Sequence, residues 1–340
     1  MKRYLPSEWH HQSAVQLTWP HAGTDWASML DEVNECFVEI AREISKREKL
    51  IVVCQNKLDV QSLVSDCNLD NIAFFEYDTN DTWARDHAGI TVMENDRPVL
   101  LDFGFNGWGG KFPAGKDNLI TKALYKSRAF NESVGYQDFN HFILEGGSIE
   151  SDGQGILLTT SECLLSKTRN PAYSRAGVEE FLRSSLGVQK VLWLNHGYLT
   201  GDDTDSHIDT LARFCNERTI AYVKCDDDRD EHYSALKEME KELKSFTNLE
   251  GESYNLVPLP MADPVWFDGE RLPATYANFL IINGAVLLPI YGTEKDETAR
   301  NVLQSVFPER EVIGINCSSL IKQHGSLHCV TMQYPEGVVS

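Results

Sequence analysis

The chain has 340 residues, 42% of them hydrophobic and 24% charged, with 31 Lys and Arg against 51 Asp and Glu for a net charge of −20. That balance repels nucleic acid and anionic membranes and favours a small cationic ligand. No apolar run of roughly 18 or more residues is present to span a bilayer.

The start, MKRYLPSEWHHQ, lacks the apolar core and small-residue cleavage site of an export signal. Eight cysteines (36, 54, 67, 163, 215, 225, 317 and 329) show no CxxC spacing, and several lie in apolar runs such as IVVC and ARFC. Buried free thiols in a reducing, cytoplasmic compartment are therefore expected.

In chain order, residues 10–20 predict a short strand closed by Pro20. From about Trp26 to Lys49, apolar residues recur at three- and four-residue steps and predict a helix, followed by a buried strand at 50–54. DTWARDHAGITVM reads as a loop entering a strand, with residues 97–105 as its hairpin partner. The Gly- and Trp-rich 105–115 stretch is loop, and 116–130 is helical in pattern. FILEGGSIESDGQGILLTT predicts two strands turning at SDGQG. A helix at 174–186 and a strand at 191–194 precede GDDTDSHIDTLARF (201–214). An amphipathic helix ending near Lys244, a hairpin over 275–292 turning at Asn283-Gly284, a helix at 294–306, a strand at 311–315 and GSLHCVTMQYP complete the chain.

Polar residues enter strand-like segments at Asp86, Glu145, His207, Asn278 and Cys329, at intervals of roughly 50 to 70 residues. The spacing is irregular but suits about five supersecondary units in one domain, residues 1–340, better than two domains and a linker.

The candidate chemistry gathers at those same positions. In an extended chain His207 and Asp209 face one space, as acid–base chemistry on a cation requires. A His at a strand mouth in a hydrated acidic loop reads equally well from that stretch alone. Trp83 and Asp86 together suit a flat cation, with stacking on the ring and hydrogen bonds to the carboxylate. An Arg85–Asp86 surface pair beside a core Trp is the alternative. Glu145 precedes two glycines that permit close approach, or is a turn acid. Cys329 is a nucleophile or a small buried hydrophobe, placed at the start of a strand. His328 would then point to the opposite face, a structural position. Asp202, Asp203 and Asp205 resemble a calcium loop, but the required Gly and terminal Glu are absent.

The set TWARD (82–86), EGGS (145–148), LLTTSECLLSKTRNP (157–171), GDDTDSHID (201–209), YANFLIINGAVLLPIYG (276–292) and LHCVT (327–331) resembles the agmatine deiminase family, the group that includes the Porphyromonas-type peptidylarginine deiminases. The resemblance runs in order from LTWPH (17–21) to LHCVTMQYP (327–335). It implies an α/β fold, a five-bladed propeller of ββαβ units around a polar channel, and hydrolysis of a guanidinium to a ureido group without metal or organic cofactor. By position, Cys329 matches the nucleophile and His207 the general acid/base. Asp86, Asp209 and Glu145 match the acids around guanidinium and histidine. Asp203 matches a pocket acid suited to an amine tail, and Trp83 is placed along the alkyl chain. The expected partner is a small cationic guanidine compound, agmatine ahead of arginine or peptidyl-arginine; association as a homodimer is left open. A guanidine-binding protein without turnover and an amidinotransferase are the other readings. Two departures border the pocket: the family often has T-N-G-H-I-D at 204–209 and G-G-N-I-H-C at 324–329, where this chain has TDSHID and HGSLHC.

Overall fold

Five times along the chain, two antiparallel strands are followed by a helix and a third strand that returns parallel to the second. A parallel return needs a long crossover, and in each unit the helix supplies it. The structure, a computed structural model, describes residues 3–340. In the first unit the chain ends meet: Thr331–Pro335 pairs antiparallel with Gln12–Thr18, which runs parallel to Lys49–Cys54 after the helix Leu30–Ser45.

The next four units repeat the order. They are Ile90–Glu94 with Arg97–Gly104 and Gly135–Ile143; Ile149–Ser151 with Ile156–Thr160 and Lys190–Leu194; Ala212–Asn216 with Thr219–Lys224 and Asn255–Pro260; and Leu280–Ile282 with Ala285–Ile290 and Glu311–Asn316. Their crossover helices are Ile120–Lys126, Arg175–Leu186, Tyr233–Ser245 and Lys295–Val306. The helix Leu30–Ser45 shows why these pieces cohere. Val33, Phe37, Ile40, Ala41 and Ile44 fall on one face and are fully buried. Each large apolar side chain contributes ~1.5–3 kcal/mol by leaving water.

The strand and helix expectations hold at most positions, including the turn at Asn283-Gly284, where Gly284 has φ +74°. Three local expectations do not. Asp86 sits in the short helix Ala84–His87, ahead of its strand. His207 and Asp209 flank and enter a 3-10 turn, Ile208–Thr210, instead of an extended segment. Cys329 lies in a turn, and its strand begins only at Thr331.

For His207 and Cys329 the physical reason is a hydroxyl turn, one that recurs at Glu145. The backbone N–H and the hydroxyl of Ser148 both donate to the Glu145 carbonyl, at 3.1 and 2.6 Å. Thr210 does the same to the His207 carbonyl at 3.3 and 2.8 Å, and Thr331 to the His328 carbonyl at 3.1 and 3.0 Å. Such local side-chain bonds compete with strand pairing and hold each segment curled just before its strand. Among the described residues no helix is long and apolar enough to cross a membrane.

Candidate active site

The curled segments of different units meet. The Gly147 N–H donates to Asp86 Oδ1 at 2.9 Å, and the Arg85 N–H donates to the Cys329 carbonyl at 3.1 Å. Asn278 Oδ1 accepts from the His328 N–H at 2.9 Å and lies 3.4 Å from both the Cys329 nitrogen and its Sγ. Its Nδ2 donates to the Asp209 carbonyl at 3.3 Å. The Cys329 turn is thus fixed by one side chain from another unit.

Cys329 opens onto a cavity of about 740 Å³, measured to its open mouth, whose walls include Trp83, Asp86 and Trp108, with Asp25, Asp81, Asp203 and His324 also on the lining. Cys329 and Asp86 are only 6% and 4% exposed. His328, next in sequence to Cys329, borders a separate cavity with Glu8, Arg85 and Glu150. Its Nδ1 is 2.7 Å from Asp209 Oδ2 and its Nε2 is 2.7 Å from Glu8 Oε2. It does face away from Cys329, although a turn and not a strand sets the direction.

Of the residues expected at the site, Cys329, Asp86, Trp83 and Asp203 line the cavity. His207, Asp209 and Glu145 are buried against its floor and do not form its wall. His207 Nδ1 lies 3.7 Å from Asp86 Oδ1, and its Nε2 lies 3.9 Å from Glu145 Oε2, an ion-pair and not a hydrogen-bond distance. Gly147 makes this convergence possible. A methyl there would come within 2.6 Å of His207 Nδ1, 2.9 Å of Asp86 Oδ1 and 3.1 Å of Asp209 Oδ2. Gly325 plays the same part for Trp83, since a Cβ would lie 2.1 Å from the indole ring.

Burial sets the electrostatics. It pushes the Asp86 carboxyl up to about 6, with help from Asp209 and Glu145. Burial and then the charges of Asp209 and Asp86 hold the Cys329 thiol well above its ordinary value. Burial opposes a charged His207, but the Asp86 carboxylate and then the neighbouring Cys163 outweigh it and hold the imidazole well above its ordinary value. Asp209 moves the other way: burial raises it, but the bond to His328 outweighs that and keeps it ionised. Burial and Asp202 raise Asp203. These shifts favour a neutral thiol on Cys329 and an imidazolium on His207, with the Asp86 carboxylate beside it.

Sequence reasoning missed several participants. Arg169 Nε donates to both Glu145 oxygens at 3.0 and 2.9 Å, Nη2 donates to the Thr204 carbonyl at 2.8 Å, and Nη1 pairs with Asp205. It ties Glu145 to the loop that carries Asp203. Trp108 Nε1 donates to Asp86 Oδ2 at 3.0 Å. Arg169 lies inside the LLTTSECLLSKTRNP motif, which was a usable signal. Trp108 sits in a Gly-rich loop with no periodicity to mark it.

A sequence profile described as Porphyromonas-type peptidyl-arginine deiminase matches residues 4–335. The chain belongs to that family. A protein of Vibrio parahaemolyticus named "Putative agmatine deiminase" is 35% identical over 98% of this chain and 96% of its own length. Among solved structures, the "Putative Arginine Deiminase from Porphyromonas gingivalis" is 55% identical with a TM-score of 0.97, covering 100% of both chains. The C. jejuni agmatine deiminase, a cysteine-to-serine variant with substrate bound, is 37% identical with a TM-score of 0.92 over 98% of this chain and 97% of its own. Within the family pattern, the two departures from T-N-G and G-G-N acquire a backbone meaning. Asp205, Ser206 and His324 have φ of +66°, +61° and +66°, the left-handed region that Asn and Gly tolerate best.

Proposed function

We propose that the protein is an agmatine deiminase, hydrolysing agmatine to N-carbamoylputrescine and ammonia, a step toward putrescine and the polyamines. The observation that carries this reading is the charge of the Cys329 cavity. Asp25, Asp81, Asp86 and Asp203 are on its lining, and among the described residues no Lys or Arg is. A substrate with a guanidinium at one end and an ammonium at the other matches two separated acids. A carboxylate tail would want a cation there. The C. jejuni agmatine deiminase held its substrate with one cysteine replaced by serine, in keeping with a cysteine nucleophile.

Asp86, with Asp209 beneath it, fixes the guanidinium, and Trp83 lies along the alkyl chain. Asp203 takes the ammonium tail. Burial and the neighbouring acids make the Cys329 thiol hard to ionise, so the bound cation ionises it and the thiol proton leaves to solvent. A unit charge about 4 Å away is worth ~4 kcal/mol at an effective dielectric of about 20, or about 3 pKa units. The Cys329 thiolate attacks the guanidinium carbon. His207 as imidazolium gives its proton to the departing ammonia, leaving an S-alkylthiouronium on Cys329. The neutral His207 then takes a proton from water, whose oxygen adds to the same carbon. Collapse breaks the C–S bond, the hydroxyl proton passes to the sulfur to return the thiol, and the ureido product is freed. Glu145 keeps the imidazole charged through its field.

The five ββαβ units support a five-bladed arrangement of one domain, residues 1–340, with the site at its centre. The acidic balance supports a small cation as partner, with no nucleic acid or membrane, and the cysteine usage supports a cytoplasmic location. Free-arginine deimination is the second reading, favoured by the 55% identity to a protein named for arginine.

The test is ureido-product formation from agmatine, free arginine and an internal-arginine peptide, with wild type, Cys329→Ala and Asp203→Asn. Agmatine turnover that vanishes in Cys329→Ala, with KM raised in Asp203→Asn, is expected. Faster turnover of arginine or the peptide would keep the chemistry and overturn the substrate.

A further inference from the structure

His207 Nε2 is buried and has no hydrogen-bond partner among the described residues. Beside it stand Glu145 Oε2 at 3.9 Å and the Sγ of Cys163, which is itself 3.9 Å from Glu145 Oε2. One donor atom from each of the three residues lies within 4.8 Å of the others, and all three side chains are buried. No step of the proposed deimination uses the Cys163 thiol.

We propose that Cys163, His207 and Glu145 form an inhibitory site for a borderline-soft divalent cation of the Zn²⁺ or Cd²⁺ class. One thiolate, one imidazole nitrogen and one carboxylate oxygen are the donor types that zinc takes, at ~2.3, ~2.0 and ~2.1 Å. Tetrahedral angles at those lengths put the donor atoms about 3.3–3.7 Å apart, so the 3.9 Å separations close by a few tenths of an ångström. The surroundings resemble the outer shell of a metal centre, where each ligand is held by a second group. Arg169 Nε clamps both Glu145 oxygens, and Asp86 faces the other ring nitrogen of His207 at 3.7 Å. Asp86, on the Nδ1 side of the ring, also lines the substrate cavity.

As the metal binds, the Cys163 S–H bond and the Nε2–H bond of the His207 imidazolium both break and the two protons leave to solvent, two per metal bound. The metal takes the Nε2 lone pair, leaving His207 a single proton on Nδ1 and no route to the imidazolium. Inhibition therefore rests on the acid/base role proposed for His207, whereas binding does not.

The test titrates metal-free protein with Cd²⁺ and Co²⁺, following the thiolate-to-metal charge-transfer band, proton release and agmatine turnover. The expected result is one equivalent bound, two protons released and turnover lost in proportion. The band should persist in Cys329→Ala, and affinity should fall about tenfold or more in Cys163→Ser. A band that disappears in Cys329→Ala but survives in Cys163→Ser would place the metal on the nucleophile and overturn the site, as would no stoichiometric binding. Binding without inhibition would keep the site and overturn the role of His207. If Cys163→Ser does not fold, X-ray absorption of the Zn²⁺-loaded wild type, with Cys329 alkylated beforehand, decides. One sulfur with an imidazole supports the site, and any other sulfur count overturns it.

Discussion

His328 Nδ1 and Asp209 Oδ2 are 2.7 Å apart across 119 residues of sequence, while the other nitrogen of the same ring is 2.7 Å from Glu8 Oε2. The ring thus bridges two carboxylates, while burial and then the Arg213 and Arg85 charges hold the imidazole below its ordinary value. Arg213 completes the Glu8–His328–Asp209 array, with Nη2 2.9 Å from Glu8 Oε1 and a further pair to Glu150. His328 thereby holds Asp209 ionised and oriented beneath the proposed guanidinium position. His328→Asn should leave one carboxylate without a partner and destabilise the fold by ~3–5 kcal/mol. It should also lower kcat by roughly 10²-fold, the scale for losing a preorganised group. Thermal unfolding and kcat measured well below the transition check both; unchanged kcat in the folded variant would leave His328 only a structural residue.

Asp86 gives the pH dependence its acid limb. With its carboxyl raised to about 6 by burial, the free site loses its negative charge as pH falls through that value. A guanidinium binds the carboxylate form, so kcat/KM for agmatine should decline below pH about 6. kcat should persist to lower pH, because the bound cation stabilises the carboxylate. A kcat/KM profile flat down to pH 5 would contradict this assignment.

Gly147 is required for space and not for backbone freedom. In Gly147→Ala the new methyl would press on His207 Nδ1 and Asp86 Oδ1 at 2.6 and 2.9 Å. Turnover should fall by roughly 10²-fold, as a displacement of about 1 Å at reacting groups costs, while far-UV circular dichroism stays that of wild type. A fully active alanine variant would show that these groups are not used together.

Ser206 carries backbone strain that its hydroxyl does little to relieve. It has φ +61° and a single 3.4 Å side-chain bond to Glu162, while its N–H bond to Asp202 at 2.7 Å does not depend on the side chain. Ser206→Gly should stabilise the protein by about 1 kcal/mol, seen as a raised Tm with agmatine kinetics near wild type. A lowered Tm would mean that the serine side chain outweighs the left-handed conformation.

The sequence by itself determined the five-unit order, most strands and helices, and the identities of Asp86, Glu145, His207, Asp209 and Cys329 as the polar residues before the strands. Apolar periodicity and turn residues are local signals, and each of these elements is fixed within about 60 residues. Even the hydroxyl turns were written in the chain as Glu145-x-x-Ser148, His207-x-x-Thr210 and His328-x-x-Thr331. They pass unremarked because their bond from hydroxyl to carbonyl shows only in three dimensions. Which of those residues face the cavity was decided by tertiary structure alone. Cys329 and Asp86 line it and His207 lies beneath, because Asn278 and Gly147 fix their turns from other units and Trp108 holds Asp86 from across its own. The partnerships of Glu8, Arg169 and His328 likewise join distant units. A charge is acceptable in the interior only when paired, and sequence spacing carries no information about which distant group the fold will set against it.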